Sequence, residues 1–128
     1  MSQMEWEQLV VDAADPAALG RWWATALGWT VVNDDPEEFE IRPAPERMPG
    51  LLFVRVPESK AVKNRLHLDI LASGERTDPF ETRRQRVDAE ASRLASLGAT
   101  ITCVLQQEGL DHYAVGMKDP EGNEFDIN

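Results

Sequence analysis

The clearest periodic stretch is residues 15–28, "DPAALGRWWATALG", where Leu19, Trp22, Trp23, Ala26 and Leu27 recur at the interval of one helix face. Asp15 supplies a side-chain oxygen ahead of the first turn. Pro16 suits the first helical position, whose N–H has no partner anyway, and Gly28 can end the helix in a left-handed turn. Before this helix, "WEQLVVDA" reads as a strand. After it, "WTVVN", "EFEIR" and "LLFVRV" read as three more, separated by breaks at Asp34–Pro36 and "PAPERMPG".

The second half repeats this order. "RLHLDIL" predicts a strand with Leu66, Leu68 and Ile70 on one face. "TDPFETRRQRVDAEASRLASLG" predicts a helix capped by Asp78, with Pro79 in the first turn and Glu81 completing an Asp-x-x-Glu capping box. Its buried side carries Phe80, Val87, Ala91 and Leu94, and Gly98 ends it. "TITCVLQ", "HYAVGMK" and "NEFDI" follow as strands, the last two joined by the turn formers of "DPEGN". Strand–helix–strand–strand–strand therefore occurs twice, and "ATALGWTVV" and "LASLGATIT" echo one another. The expected fold is α+β: two βαβββ modules, about 4–57 and about 64–128, in a single domain over 1–128. Eight strands would form a cupped mixed sheet with the helices on its outer face.

Composition narrows the function. The 128 residues carry a net charge of −10, which repels nucleic-acid phosphates. No apolar run nears the roughly 20 residues that cross a bilayer, and "MSQMEWEQ" lacks the basic and apolar parts of a secretory signal. Cys103 is the only cysteine, so no internal disulfide forms, and a cytoplasmic location is expected.

Strand alternation then selects candidate chemistry. If Leu66, Leu68 and Ile70 face the helix, then Arg65, His67 and Asp69 face the hollow; if Phe125 and Ile127 face the helix, then Glu124 and Asp126 do not. In the first strand Gln8, Val10 and Asp12 lie opposite Leu9 and Val11. Gln8, His67 and Asp126 thus each sit on the side away from the helix. An amide oxygen, a neutral imidazole and a carboxylate meeting at one point would hold a divalent cation. Separately, each has a plainer reading as a solvent-facing polar residue.

The stretches "QLVVDAADPAALGRWWATALGWTV", "NRLHLDI", "ASRLASLGA" and "DPEGNEFDI" resemble the glyoxalase-like and bleomycin-resistance proteins of the vicinal-oxygen-chelate superfamily. The resemblance implies a cupped sheet of paired modules, usually in a homodimer that can share sites between subunits. It also implies metal ligands at Gln8, His67 and Asp126, with Mn, Fe, Co, Ni or Zn as the ion. Gln8 lies seven residues before Asp15, and Asp126 seven beyond Asp119. Gln and Asp depart from the commoner His or Glu and Glu. Phe53 stands near where a glyoxalase I carboxylate would be, so glyoxalase I activity is not expected.

Two kinds of small-molecule function follow from the resemblance. One is a metal-dependent lyase, transferase or oxygenase, with Arg55 and Arg65 pairing an anionic substrate group and His112 carrying protons. The other is a metal-free drug-sequestering protein in which Trp6, Trp29 and Phe53 stack on a flat ligand. A non-catalytic interaction domain is a third reading.

Overall fold

The structure is a computed structural model describing residues 2–128. It divides into two compact units between Ser59 and Lys60. The first unit runs β1 (Gln8–Ala13), α1 (Pro16–Leu27), β2 (Thr30–Asp34), β3 (Glu38–Arg42) and β4 (Gly50–Arg55). The second runs β5 (Leu68–Ile70), α2 (Phe80–Ser96), β6 (Thr100–Leu105), β7 (Ala114–Lys118) and β8 (Glu124–Ile127).

The first unit's strands lie in the order β1-β4-β3-β2, with β1 and β4 parallel and the other pairs antiparallel. The helix between β1 and β2 covers one face of this sheet. Leu19 and Trp23 of α1 are buried, as are Phe39, Ile41, Leu51 and Phe53 of the sheet. Close approach depends on Gly20, because a Cβ there would stand 2.2 Å from Phe39 Cδ1. The helix starts and stops as its sequence predicts. Asp15 Oδ1 accepts from the Ala18 N–H at 3.2 Å, and Gly28 takes the left-handed conformation at φ 69°.

The second unit has the same topology, β5-β8-β7-β6, with β5 and β8 parallel. Val87, Ala91 and Leu94 of α2 are buried, together with Val115, Met117, Phe125 and Ile127 of the sheet. The architecture is therefore α+β, two βαβββ modules with mixed sheets. The expected eight strands form two four-stranded sheets, one per unit.

Two local expectations fail. Pro79, not Asp78, occupies the cap position of α2 and makes no side-chain cap. The Asp78 carboxylate instead accepts from Arg86 Nη1 at 2.5 Å, and Glu81 pairs with Arg84. A charge-assisted bond to a guanidinium outcompetes a neutral backbone N–H. The strand in "RLHLDIL" is also shorter than its alternation suggests, for β5 begins only at Leu68 and leaves Leu66 79% exposed. The chain just upstream is fixed elsewhere: the Asn64 N–H donates to Glu124 Oε2 at 2.9 Å, and Asn64 Nδ2 to the Glu124 carbonyl at 3.2 Å.

Candidate metal centre

The last strand is positioned by its preceding turn. Asp119 is buried, and its Oδ1 accepts from the backbone N–H groups of Glu121 and Asn123 at 2.9 and 3.0 Å. Its Oδ2 accepts from Asn123 Nδ2 at 2.9 Å. Gly122, at φ 89°, supplies the left-handed step of the turn. The chain then enters β8 in fixed register, with Phe125 and Ile127 toward α2 and Asp126 on the opposite face.

Parallel pairing puts Asp69 of β5 directly beside Asp126 of β8. His67, just before β5, completes the group. Its Nδ1 lies 3.3 Å from Asp69 Oδ1 and 3.7 Å from Asp126 Oδ2. One donor atom from each of the three falls within 4.8 Å of the others. The His67 and Asp69 side chains are 46% and 60% exposed, and that of Asp126 25%, so the cluster opens to solvent. Donors about 2.1 Å from a common ion stand about 3.0 Å apart at right angles and about 3.4 Å at the tetrahedral angle. The His67–Asp69 separation falls in this range and the His67–Asp126 separation slightly beyond it, so the imidazole and two carboxylates form a group that could hold a small divalent cation.

The same face continues across the sheet. Gly116 of β7 pairs with Asp126, and Cys103 of β6 pairs with Gly116. A Cβ at Gly116 would stand 2.8 Å from Cys103 Sγ and 3.5 Å from Asp126 Oδ1. Gly116 is buried, and the side chains of Cys103 and Thr102 already occupy the space a Cβ would take. At the rim, burial alone would raise the Glu124 pKa. The Asn64 N–H and then Lys63, 3.3 Å away, outweigh it and hold the carboxyl below its ordinary value.

The second unit thus brings His67 and Asp126 together, while Gln8 belongs to the first unit. Gln8 opens β1 half-buried, on the side shared by Val10 and Asp12. Asp69 was legible as facing the same way as His67 through its His-x-Asp spacing, but its opposition to Asp126 comes from strand pairing.

The expected pocket residues are scattered. Phe53 is completely buried in the first unit's core, so its ring is unavailable for stacking. Arg55 follows Leu51 and Phe53 in alternation and so falls on the helix side of β4. There it bonds Glu37 Oε1 at 3.1 Å and the Ala14 carbonyl at 2.5 Å, which ties loops together. Trp29 is half-buried after α1, its N–H bonded to the Ala24 carbonyl at 3.0 Å. Trp6 and Arg65 are exposed outside the strands. His112 borders a cavity of about 20 Å³ with Ser73, Arg76, Arg83 and Tyr113. That space holds about one water.

The model of the glyoxalase-like domain matches residues 8–128. The chain belongs to the glyoxalase-like domain family. It is thereby a member of the vicinal-oxygen-chelate superfamily, whose members include metalloenzymes and resistance proteins. Among solved structures it is similar to the fosfomycin resistance protein FosX of Listeria monocytogenes, in complex with Mn(II) and a dihydroxypropylphosphonic acid. That match has 10% identity, a TM-score of 0.73, and covers 100% of this chain and 90% of that chain. It is also similar to a glyoxalase/bleomycin resistance protein/dioxygenase family enzyme of Burkholderia phytofirmans, at 17% identity and a TM-score of 0.71, covering 98% of each chain. A possible glyoxalase of Bacillus cereus matches at 17% identity and a TM-score of 0.69, covering 97% of each chain. At such identities the likeness is one of fold. A search of curated proteins returns no match. Among the described residues no helix is long and apolar enough to cross a membrane.

Proposed function

We propose that this glyoxalase-like protein is a divalent-cation-dependent enzyme acting on a small, oxygen-rich anionic molecule. His67 and Asp126 are its anchoring ligands. The observation that carries the reading is the approach of His67 Nδ1 to Asp126 Oδ2, 3.7 Å apart, on the open face of the second sheet. The Mn(II) held by the Listeria relative supports manganese as the first ion to test; Fe, Co, Ni and Zn are the others. When bound, the cation would polarise a substrate oxygen and stabilise the negative charge that develops on it.

The chain's own residues do the rest. The turn locked by Asp119 sets the register in which Asp126 stands. Arg65, exposed two residues before His67, is available to pair with an anionic group such as the phosphonate that the Listeria relative holds. The reading includes a homodimer. Strand β6 is a sheet edge exposed throughout, Ile101, Val104 and Leu105 included, and pairing with a second copy would cover it.

The test is calorimetric and thermal titration of the chelator-treated protein with Mn²⁺ and then the other four ions. A ligand of the native state raises the melting temperature, by about 2.7 kcal/mol of stability at a hundred times its Kd. Wild type should show saturable, near-equimolar binding that His67→Ala and Asp126→Asn abolish. If none of the five ions binds, the cation-dependent reading fails and a metal-free binder replaces it.

A further inference from the structure

The geometry points to Asp69 as a direct ligand of the cation, so that His67, Asp69 and Asp126 form a complete three-residue site within the second unit and binding does not require Gln8. The inference rests on the cation-dependent function proposed above and changes which residues hold the ion.

Three observations converge. The first is distance: of the two aspartates, Asp69 is the nearer to His67, at 3.3 Å against 3.7 Å, and it is the Asp69 separation that falls in the range for neighbouring ligands on one small ion. The second is register. Asp69 and Asp126 are paired positions on adjacent strands, so their side chains leave the same face together. Two like charges in that arrangement repel and weaken the pairing. Among the described residues, no Lys or Arg nitrogen lies within 4.0 Å of either aspartate. A divalent cation between the carboxylates relieves the repulsion, and two carboxylates balance its charge.

The third is donor strength. The Gln8 amide is neutral and contributes no charge, whereas a second carboxylate adds a full one. The resulting set, one imidazole nitrogen and two carboxylate oxygens, favours manganese over ions that prefer sulfur.

The experiment is Mn²⁺ calorimetry on the full-length chain, comparing wild type, Asp69→Asn, Asp126→Asn and Gln8→Ala at 0.1 M and 1 M NaCl. Asp69 is 60% exposed, so its substitution spares the core, and circular dichroism confirms the fold. Loss of an outer hydrogen-bond partner costs about 10–100-fold in metal affinity. Asp69→Asn should cost more than about 100-fold, like Asp126→Asn, at both salt concentrations, while Gln8→Ala stays within about threefold. The inference is overturned if Asp69→Asn stays within about threefold of wild type. It is equally overturned if the defect disappears at 1 M salt, where charges are screened beyond about 3 Å, or if Gln8→Ala is as damaging. In those cases wild type still binds and the proposed function stands. Absence of binding by wild type sinks the function and this inference together.

Discussion

Asp69 and Asp126 stand side by side on the parallel strands β5 and β8, with the His67 imidazole against both. Two carboxylates in register repel, and positive charge between them relieves the repulsion. Each residue arrives there for a separate structural reason. The Asp119 turn delivers Asp126, pairing with β8 delivers Asp69, and the Asn64 anchor holds the approach to His67.

The close packing over Gly116, next to Asp126, is expected to matter for binding. A Cβ there would crowd Cys103 Sγ at 2.8 Å, Thr102 Oγ1 at 3.0 Å and Asp126 Oδ1 at 3.5 Å. Gly116→Val should lower Mn²⁺ affinity at least about tenfold and cost about 1–3 kcal/mol of stability through overpacking. Titration calorimetry beside thermal unfolding measures both effects. Unchanged affinity would show that this part of the face does not border the cation.

Asp119→Ala should loosen the approach to Asp126. The substitution leaves the N–H groups of Glu121 and Asn123 without their carboxylate acceptor. The expected loss is about 1–3 kcal/mol, with weaker Mn²⁺ binding although Asp119 is not proposed as a ligand. A variant with normal affinity at a lowered melting temperature would uncouple the turn from the site.

Tyr113 gives a pH signature independent of the metal. Its hydroxyl donates to Asp88 Oδ1 at 2.5 Å, and burial first, then Asp88, pushes the phenol's pKa above its ordinary value. The folded pKa therefore exceeds the unfolded one of about 10. The phenol's contribution is complete below that unfolded value and is lost as pH rises through the folded one. Tyr113→Phe should be less stable at neutral pH by about 1.5–3 kcal/mol, and it should lack this part of the alkaline decline. Denaturant melts from pH 7 to 11 check both; parallel wild-type and variant curves would remove Tyr113 as the cause.

The sequence by itself determined the elements and their order. Helix α1 was legible from end to end because cap, proline, apolar stripe and terminal glycine are local signals that agree. The face of β8 was equally clear, since Phe125 and Ile127 can be buried on only one side, which places Asp126 on the other. Tertiary structure decided what local rules leave open. The apolar run "LLFV" does not reveal its phase, and packing under α1 sent Phe53 into the core and Arg55 to the helix side. Asp78 chose Arg86 over the helix cap, a competition visible only once the two were neighbours. Alternation set Asp69 facing the same way as His67. Its opposition to Asp126 came from parallel pairing of β5 with β8, a contact between residues far apart in the chain that no local periodicity encodes.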